Sequence, residues 1–224
     1  MSARRAVLLV GSARPRGTGN SEAIGNYLLE RLAEGGMDTE VLHVGRTQRP
    51  EKEGQLMQAV DGADLFVLST PLYVDALPYL VTRCAERIVA HRTAMPEPSK
   101  VGFLAVVNCG FPEWEQTRTA LEICRVFARQ AGFTWMGGLG YGAGEAIKGR
   151  PLEELGGRTR SLRKGLDLAA EALLAGEMVP EEAQALLARP IVPSRLYTAI
   201  GSIGWLRAAR RKGTLRRLGD RPLG

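Results

Sequence analysis

The chain has 224 residues, 45% of them hydrophobic, with 30 lysines and arginines against 24 acids for a formal net charge of +6. That length suits one globular domain with an extension better than two full domains, and no apolar run reaches the roughly 20 residues that cross a bilayer. The charge is uneven: between Arg195 and Arg221 eight basic residues meet one acid, Asp220, so the remainder is nearly neutral and a basic surface for nucleic acid is not expected.

Apolar runs alternate with helical periodicity, the pattern of a parallel sheet covered on both faces. The first strand is Ala6 to Val10. Arg4 and Arg5 precede only this short run, too little for the apolar segment of a secretion signal. The first helix carries Ile24, Tyr27, Leu28 and Leu32 on one stripe and stops at Gly35-Gly36. A short second strand, Thr39 to Val44, is followed by Arg49-Pro50 and a weak helix around Glu53 to Val60. Leu65 to Thr70 is almost wholly apolar, as a central strand buried on both faces should be.

Pro78 then opens a helix with Leu77, Leu80, Val81, Cys84 and Ile88 on one face. Strand four is Val101 to Val107, and its helix turns Thr117, Leu121, Cys124 and Ala128 inward. Strand five covers Phe133 to Leu139 and runs into a loop at Gly140-Tyr141-Gly142. A long helix from Glu153 to Leu174 closes a five-stranded doubly wound sheet. After Gly176 come a short helix started by Pro180, then Pro190, Pro193 and the basic tail. The expected division is therefore a main domain of residues 1–176 and a helical basic extension of 177–224.

Cys84, Cys109 and Cys124 are odd in number and lack C-x-x-C spacing, which argues against disulfides, zinc and iron–sulfur clusters and fits a reducing cytoplasm. His43 and His91 are the only histidines. Neither lies near a nucleophile motif, so both read as surface or packing residues.

The chemistry concentrates in three loops at the carboxyl ends of strands, where doubly wound sheets bind ligands. Gly11 to Ser21 (Gly-Ser-Ala-Arg-Pro-Arg-Gly-Thr-Gly-Asn-Ser) combines glycines, hydroxyls, an amide and a helix start. A phosphate needs that combination: close backbone approach, short donors and free N–H groups. The loop lacks the Lys-Ser/Thr of a Walker loop and the G-x-G-x-x-G of a dinucleotide fold. Pro71-Leu72-Tyr73-Val74-Asp75 and Asn108 to Trp114 carry aromatic, amide and backbone groups suited to a flat heteroaromatic ring. A phosphate with a flat ring points to FMN.

These residues resemble the flavodoxin-like NAD(P)H-dependent FMN reductases and the related quinone and azo reductases. The resemblance covers roughly Ala6 to Leu174. It rests on Gly11, Ser12, Arg14, Gly19, Asn20 and Ser21 in the first loop, on Ser69, Pro71 and Tyr73 with Pro78 and Leu80 after them, and loosely on Asn108-Cys109-Gly110. Arg83 departs from the pattern of many relatives where a helix approaches a partner subunit.

The resemblance implies a flavodoxin-like fold and hydride transfer carried out by the flavin itself, with no obligatory protein acid or base. It also implies that Ser12, Arg14, Thr18, Gly19, Asn20 and Ser21 hold the FMN phosphate, with Arg16 a weaker candidate. Pro71, Leu72, Tyr73 and Val74 would border the ring, and Asn108, Gly110 and Phe111 would close its other side. NAD(P)H would be the co-substrate, a quinone or similar small molecule the acceptor, and a homo-oligomer the assembly. Two other readings stay open: a flavodoxin-type FMN electron carrier, and a phosphate-ligand or interaction module without activity. In the tail, Leu196, Ile200, Ile203 and Leu206 recur at helical spacing beside Trp205 and a run of arginines. Packing on the domain or on a partner subunit is preferred there to contact with an anionic membrane surface.

Overall fold

The computed structural model describes residues 4–47, 50–189 and 194–220. Its sheet has five parallel strands in the order β2-β1-β3-β4-β5, formed by β1 (Arg5–Val10), β2 (Asp38–His43), β3 (Leu65–Pro71), β4 (Gly102–Asn108) and β5 (Thr134–Tyr141). The interior of β3 is entirely buried, as its unbroken apolar run requires of the central strand. Alternate side chains of each strand feed two cores. Ala6, Leu8, Val10, Leu65, Val67, Leu104 and Val106 face α1 (Asn20–Glu34) and α6 (Arg160–Ala175). Val7, Leu9, Phe66, Leu68, Phe103, Ala105 and Val107 face α3 (Pro50–Asp61), α4 (Tyr79–Thr93) and α5 (Arg118–Gln130). A single turn, α2 (Val44–Thr47), leads from β2 toward α3.

The structure revises several sequence-based boundaries. Pro78 caps α4 from outside instead of opening it, with Val81 and Thr82 donating to its carbonyl. Gly140 and Tyr141 belong to β5, because Val107 and Asn108 of β4 pair with them. The expected helix from Glu153 to Leu174 is instead a 3₁₀ segment, Glu153–Thr159, kinked internally at Gly156 (φ 58°, ψ −129°), followed by α6 from Arg160.

The chain divides after Ile191 and not near Gly176, giving compact units Met1–Ile191 and Val192–Gly224. The reason is α7 (Glu181–Leu187), whose Ala183 and Leu187 are buried in the first core. Gly165 allows the close approach: a Cβ there would stand 2.3 Å from Leu187 and 2.7 Å from the Ala183 carbonyl oxygen. The second unit holds α8 (Ser194–Arg211) and a short 3₁₀ turn, Leu215–Arg217. Pro190, Pro193 and Arg221 lie outside the described residues, as do the side chains of Leu196 and Ile200.

Two polar contacts tie helices across these cores. Arg92 of α4 is fully buried; its guanidinium donates to the Ala131 carbonyl (2.7 Å), the Ser99 carbonyl (2.7 Å) and Asp61 (3.1 Å), and stacks over Phe133. On the other side Tyr27 of α1 donates its hydroxyl to Asp167 of α6 at 2.8 Å.

Burial first, and then the Asp167 carboxylate, push the Tyr27 phenol up to about 12 from 10.0. A folded-state pKa above the unfolded one means a contribution present in full below pH 10 and lost as pH rises toward 12. Urea titrations of wild type and Tyr27→Phe should therefore converge in stability across that window. A constant gap would contradict the assignment.

Candidate functional site

Strand β1 ends at Val10, next to Ser69 of β3, and β3 ends at Pro71, next to Asn108 of β4. The strand order switches between β1 and β3, so loops leaving the two strands diverge and open a crevice. A cleft of about 450 Å³ lies there, lined by Ser12, Arg14, Asn20, Ser21, Pro71, Leu72, Tyr73, Asn108, Cys109, Gly110 and Glu145. Nine of the thirteen residues expected from the sequence thus meet around one space. Thr18, Gly19, Val74 and Phe111 do not line it.

The phosphate-loop reading has a local physical basis. Helix α1 begins at Asn20 behind Gly19, which has no side chain, and no side chain caps its first turn. The positive end of the helix dipole and its N–H groups are therefore left for a ligand. Ser12 accepts a hydrogen bond from the Arg14 amide (3.2 Å), which holds its hydroxyl at the loop mouth. Asn20 is buried, with its oxygen accepting from the Gly149 amide at 2.8 Å. That fixes the side chain and leaves its NH₂ as the group able to donate into the cleft.

Other loop members shape the turn. Thr18 donates its hydroxyl to the Pro15 carbonyl (2.6 Å), and Gly17, at φ 75°, donates its amide to Glu22 at 2.7 Å. Glu22 lies 3.6 Å from His43, whose pKa is lowered by burial first and by Arg16 and Arg46, against the opposing pull of Glu22. His43 thus buttresses the loop from behind as a packing residue. His91 likewise packs away from the cleft, hydrogen-bonded to Asp61 at 2.6 Å.

Ser21 faces the other wall. Its hydroxyl donates to the Asn108 side-chain oxygen at 2.6 Å, and its carbonyl accepts from Ser69 at 2.7 Å. These bonds clamp the start of α1 onto β3 and β4, so Ser21 both borders the cleft and sets its width.

The second loop is held by the Leu72 amide, which donates to the Asn108 carbonyl at 2.8 Å. It then closes as a tight turn in which Tyr73 and Ala76 exchange both backbone hydrogen bonds. Val74 (φ 48°) and Asp75 (φ 59°) occupy its two central positions. This is the left-handed geometry usually filled by Asn and Gly, and a β-branched residue there is strained. The turn lifts Val74 out of the cleft to 97% exposure and leaves Tyr73 half exposed at the rim. Phe111 points outward too, and its carbonyl accepts from the Ala143 amide.

Two wall residues stand outside the expected site set, one of them within the expected third loop. Glu145 comes from the loop after β5, which folds back over the phosphate loop. A Cβ at Gly149 (φ 68°) would lie 2.5 Å from the Thr18 backbone. The Glu145 carboxylate stands 3.7 Å from Arg14, both side chains more than half exposed. Such a pair contributes only about 0 to 1 kcal/mol, so Arg14 remains able to turn to a phosphate, with which it would make stronger charge-assisted bonds. The other is Cys109, whose thiol donates toward the Phe111 and Glu113 carbonyls and whose pKa is raised chiefly by burial. A repeated glycine signal after β5 marked that loop, but nothing local marked Glu145.

No protein-family model and no curated protein sequence matches the chain. Among solved structures it is similar to a flavone reductase (14% identity, TM-score 0.54, 75% of this chain and 64% of that one). It is also similar to an azoreductase from Bacillus anthracis str. Sterne (11%, 0.50, 77% and 99%) and to a Streptococcus pneumonia TIGR4 flavodoxin (17%, 0.51, 78% and 99%). The chain thus spans a little under two thirds of the flavone reductase. The fold is flavodoxin-like.

Proposed function

We propose that the chain is an FMN-dependent oxidoreductase that takes hydride from NAD(P)H and passes it to a small acceptor such as a quinone. The observation that carries this reading is the cleft itself. An uncapped helix start with Ser12, Arg14 and Asn20 runs continuously into a second wall made by Pro71 to Tyr73 and by Asn108 and Gly110. The donor set suits a phosphate and the second wall suits a planar ring. FMN would supply the redox chemistry, accepting and releasing hydride at its ring.

In this reading the N–H groups at the head of α1, the Ser12 hydroxyl, the Arg14 guanidinium and the Asn20 amide hold the phosphate. The backbone from Pro71 to Tyr73 and the Asn108–Gly110 segment orient the ring, and Tyr73 covers its edge. The fold similarity to a flavone reductase and an azoreductase is consistent with this reading. The half-exposed rim leaves one entrance for donor and acceptor alike, so they should alternate there.

Purified protein titrated with FMN should show stoichiometric binding by flavin absorbance. Anaerobic NADPH or NADH should then bleach the flavin, and quinone should restore it, with parallel initial-rate lines. Failure to bind FMN would remove the reading. Binding without reduction by either nicotinamide would make the protein an electron carrier, as the flavodoxin similarity allows.

A further inference from the structure

A second cleft opens beside the end of β5, between the start of α6 and the end of α7. Four cations line it, Arg158, Arg160, Lys164 and Arg189, and no carboxylate is among its lining residues. All four are exposed, and no acid of the described residues pairs with any of them. Elsewhere in this unit the arginines near acids do form pairs, as Arg5 does with Glu40, Arg150 with Glu154 and Arg92 with Asp61. Four like charges held around one concavity repel one another, and that arrangement is stabilised when an anion enters.

The backbone adds to this field. Helix α6 has 16 residues and points its first turn into the same cleft, and Thr159 at its cap gives it no side-chain bond because its hydroxyl donates to the Leu152 carbonyl at 2.6 Å. Gly157, also in the lining, leaves open space over the approach to that turn. Ser161 is occupied by the Leu186 carbonyl at 2.8 Å, which fixes α7 against α6 and sets the spacing of Arg189 from the arginines of α6. Arg160 and Lys164 stand on α6, Arg158 just before it and Arg189 just after α7, so the cationic wall is built around two helices clamped together.

We propose that this cleft binds a small ligand carrying two or more linked phosphates, at a site separate from the flavin cleft. A diphosphate carries more terminal oxygens than a single phosphate, enough to accept the paired donors of three guanidinium groups. Tyr141, which lines the cleft, pairs across the sheet with Asn108, which lines the flavin cleft. The diphosphate can accordingly come from either of two sources: the nicotinamide dinucleotide reaching its ring into the flavin cleft, or a free polyphosphate. The dinucleotide source rests on the function proposed above, whereas diphosphate binding itself does not.

Calorimetric titration with inorganic pyrophosphate, in protein saturated with FMN and in protein without it, tests the site. Wild type should bind pyrophosphate more tightly than orthophosphate, more weakly as salt rises, and equally with or without FMN. Arg158→Glu with Arg189→Glu changes two exposed side chains, and should lower that affinity by about tenfold or more at unchanged melting temperature and FMN affinity. No pyrophosphate binding, equal binding by the double variant, or competition between pyrophosphate and FMN would overturn the proposal. Steady-state rates then separate the sources. A raised KM for the dinucleotide at unchanged kcat in the double variant identifies the dinucleotide; an unchanged KM with pyrophosphate binding lost identifies a free polyphosphate.

Discussion

Replacing Asn20 and Ser21 together by alanine should weaken FMN binding by about 30-fold or more, since each buried donor lost costs about 1 to 3 kcal/mol. The two residues act differently. Asn20 is locked by the Gly149 amide and offers its NH₂ to the ligand, so its loss removes a donor and loosens the loop after β5. Ser21 bridges α1 to Asn108, so its loss frees the Asn108 oxygen and relaxes the far wall. The single variants should therefore combine non-additively, because they sit in adjoining bonds around one space. Fluorescence titration of FMN checks this, with the melting temperature of the cofactor-free variants as the control for folding. Wild-type affinity in the double variant would take the loop out of the site.

The largest effect on stability is expected at Arg92, far from the cleft. Arg92→Met takes the buried guanidinium from Asp61, which keeps its 2.6 Å hydrogen bond to His91, and strips the Ala131 and Ser99 carbonyls of their donor. Breaking a buried pair from one side costs about 3 to 5 kcal/mol; Asp61 is partly exposed and keeps His91, so the lower end of that range applies, which for a chain of this size corresponds to a fall of roughly 10 °C in melting temperature. Arg92→Lys should recover only part of it, because an ammonium cannot reach three acceptors on diverging lines or stack on Phe133. Calorimetry of the two variants against wild type decides the matter; a shift within a degree or two for methionine would show that the network contributes nothing net.

The features that could be read from the sequence are those fixed over short range. The apolar run of β1, the Gly-Ser-Asn loop and the stripe of Ile24, Tyr27, Leu28 and Leu32 all lie within about thirty residues. Each is dictated by local propensity and burial, and the structure places each where its pattern indicates. Pro71, Leu72 and Tyr73 were legible for the same reason.

What could not be read depends on chain returning from a distance or on backbone that departs from its usual residues. Glu145 reaches the cleft only because the loop after β5 crosses the start of α1. Val74 leaves it because a Val-Asp pair adopts a turn whose usual signature is Asn-Gly. The place of α7 was hidden too, since its seven residues show little periodicity and the deciding contact is the missing side chain of Gly165.

The strained turn at Val74 and Asp75 also has a thermodynamic consequence. Two non-glycine residues held in the left-handed region store on the order of 1 to 3 kcal/mol each, and they do so at the rim of the one cleft that the fold leaves open at its switch point. A ligand present at a hundred times its dissociation constant returns about 2.7 kcal/mol to the folded state. The two quantities are of the same size, so a ligand held in the cleft at that level would offset a large part of what the turn costs the fold.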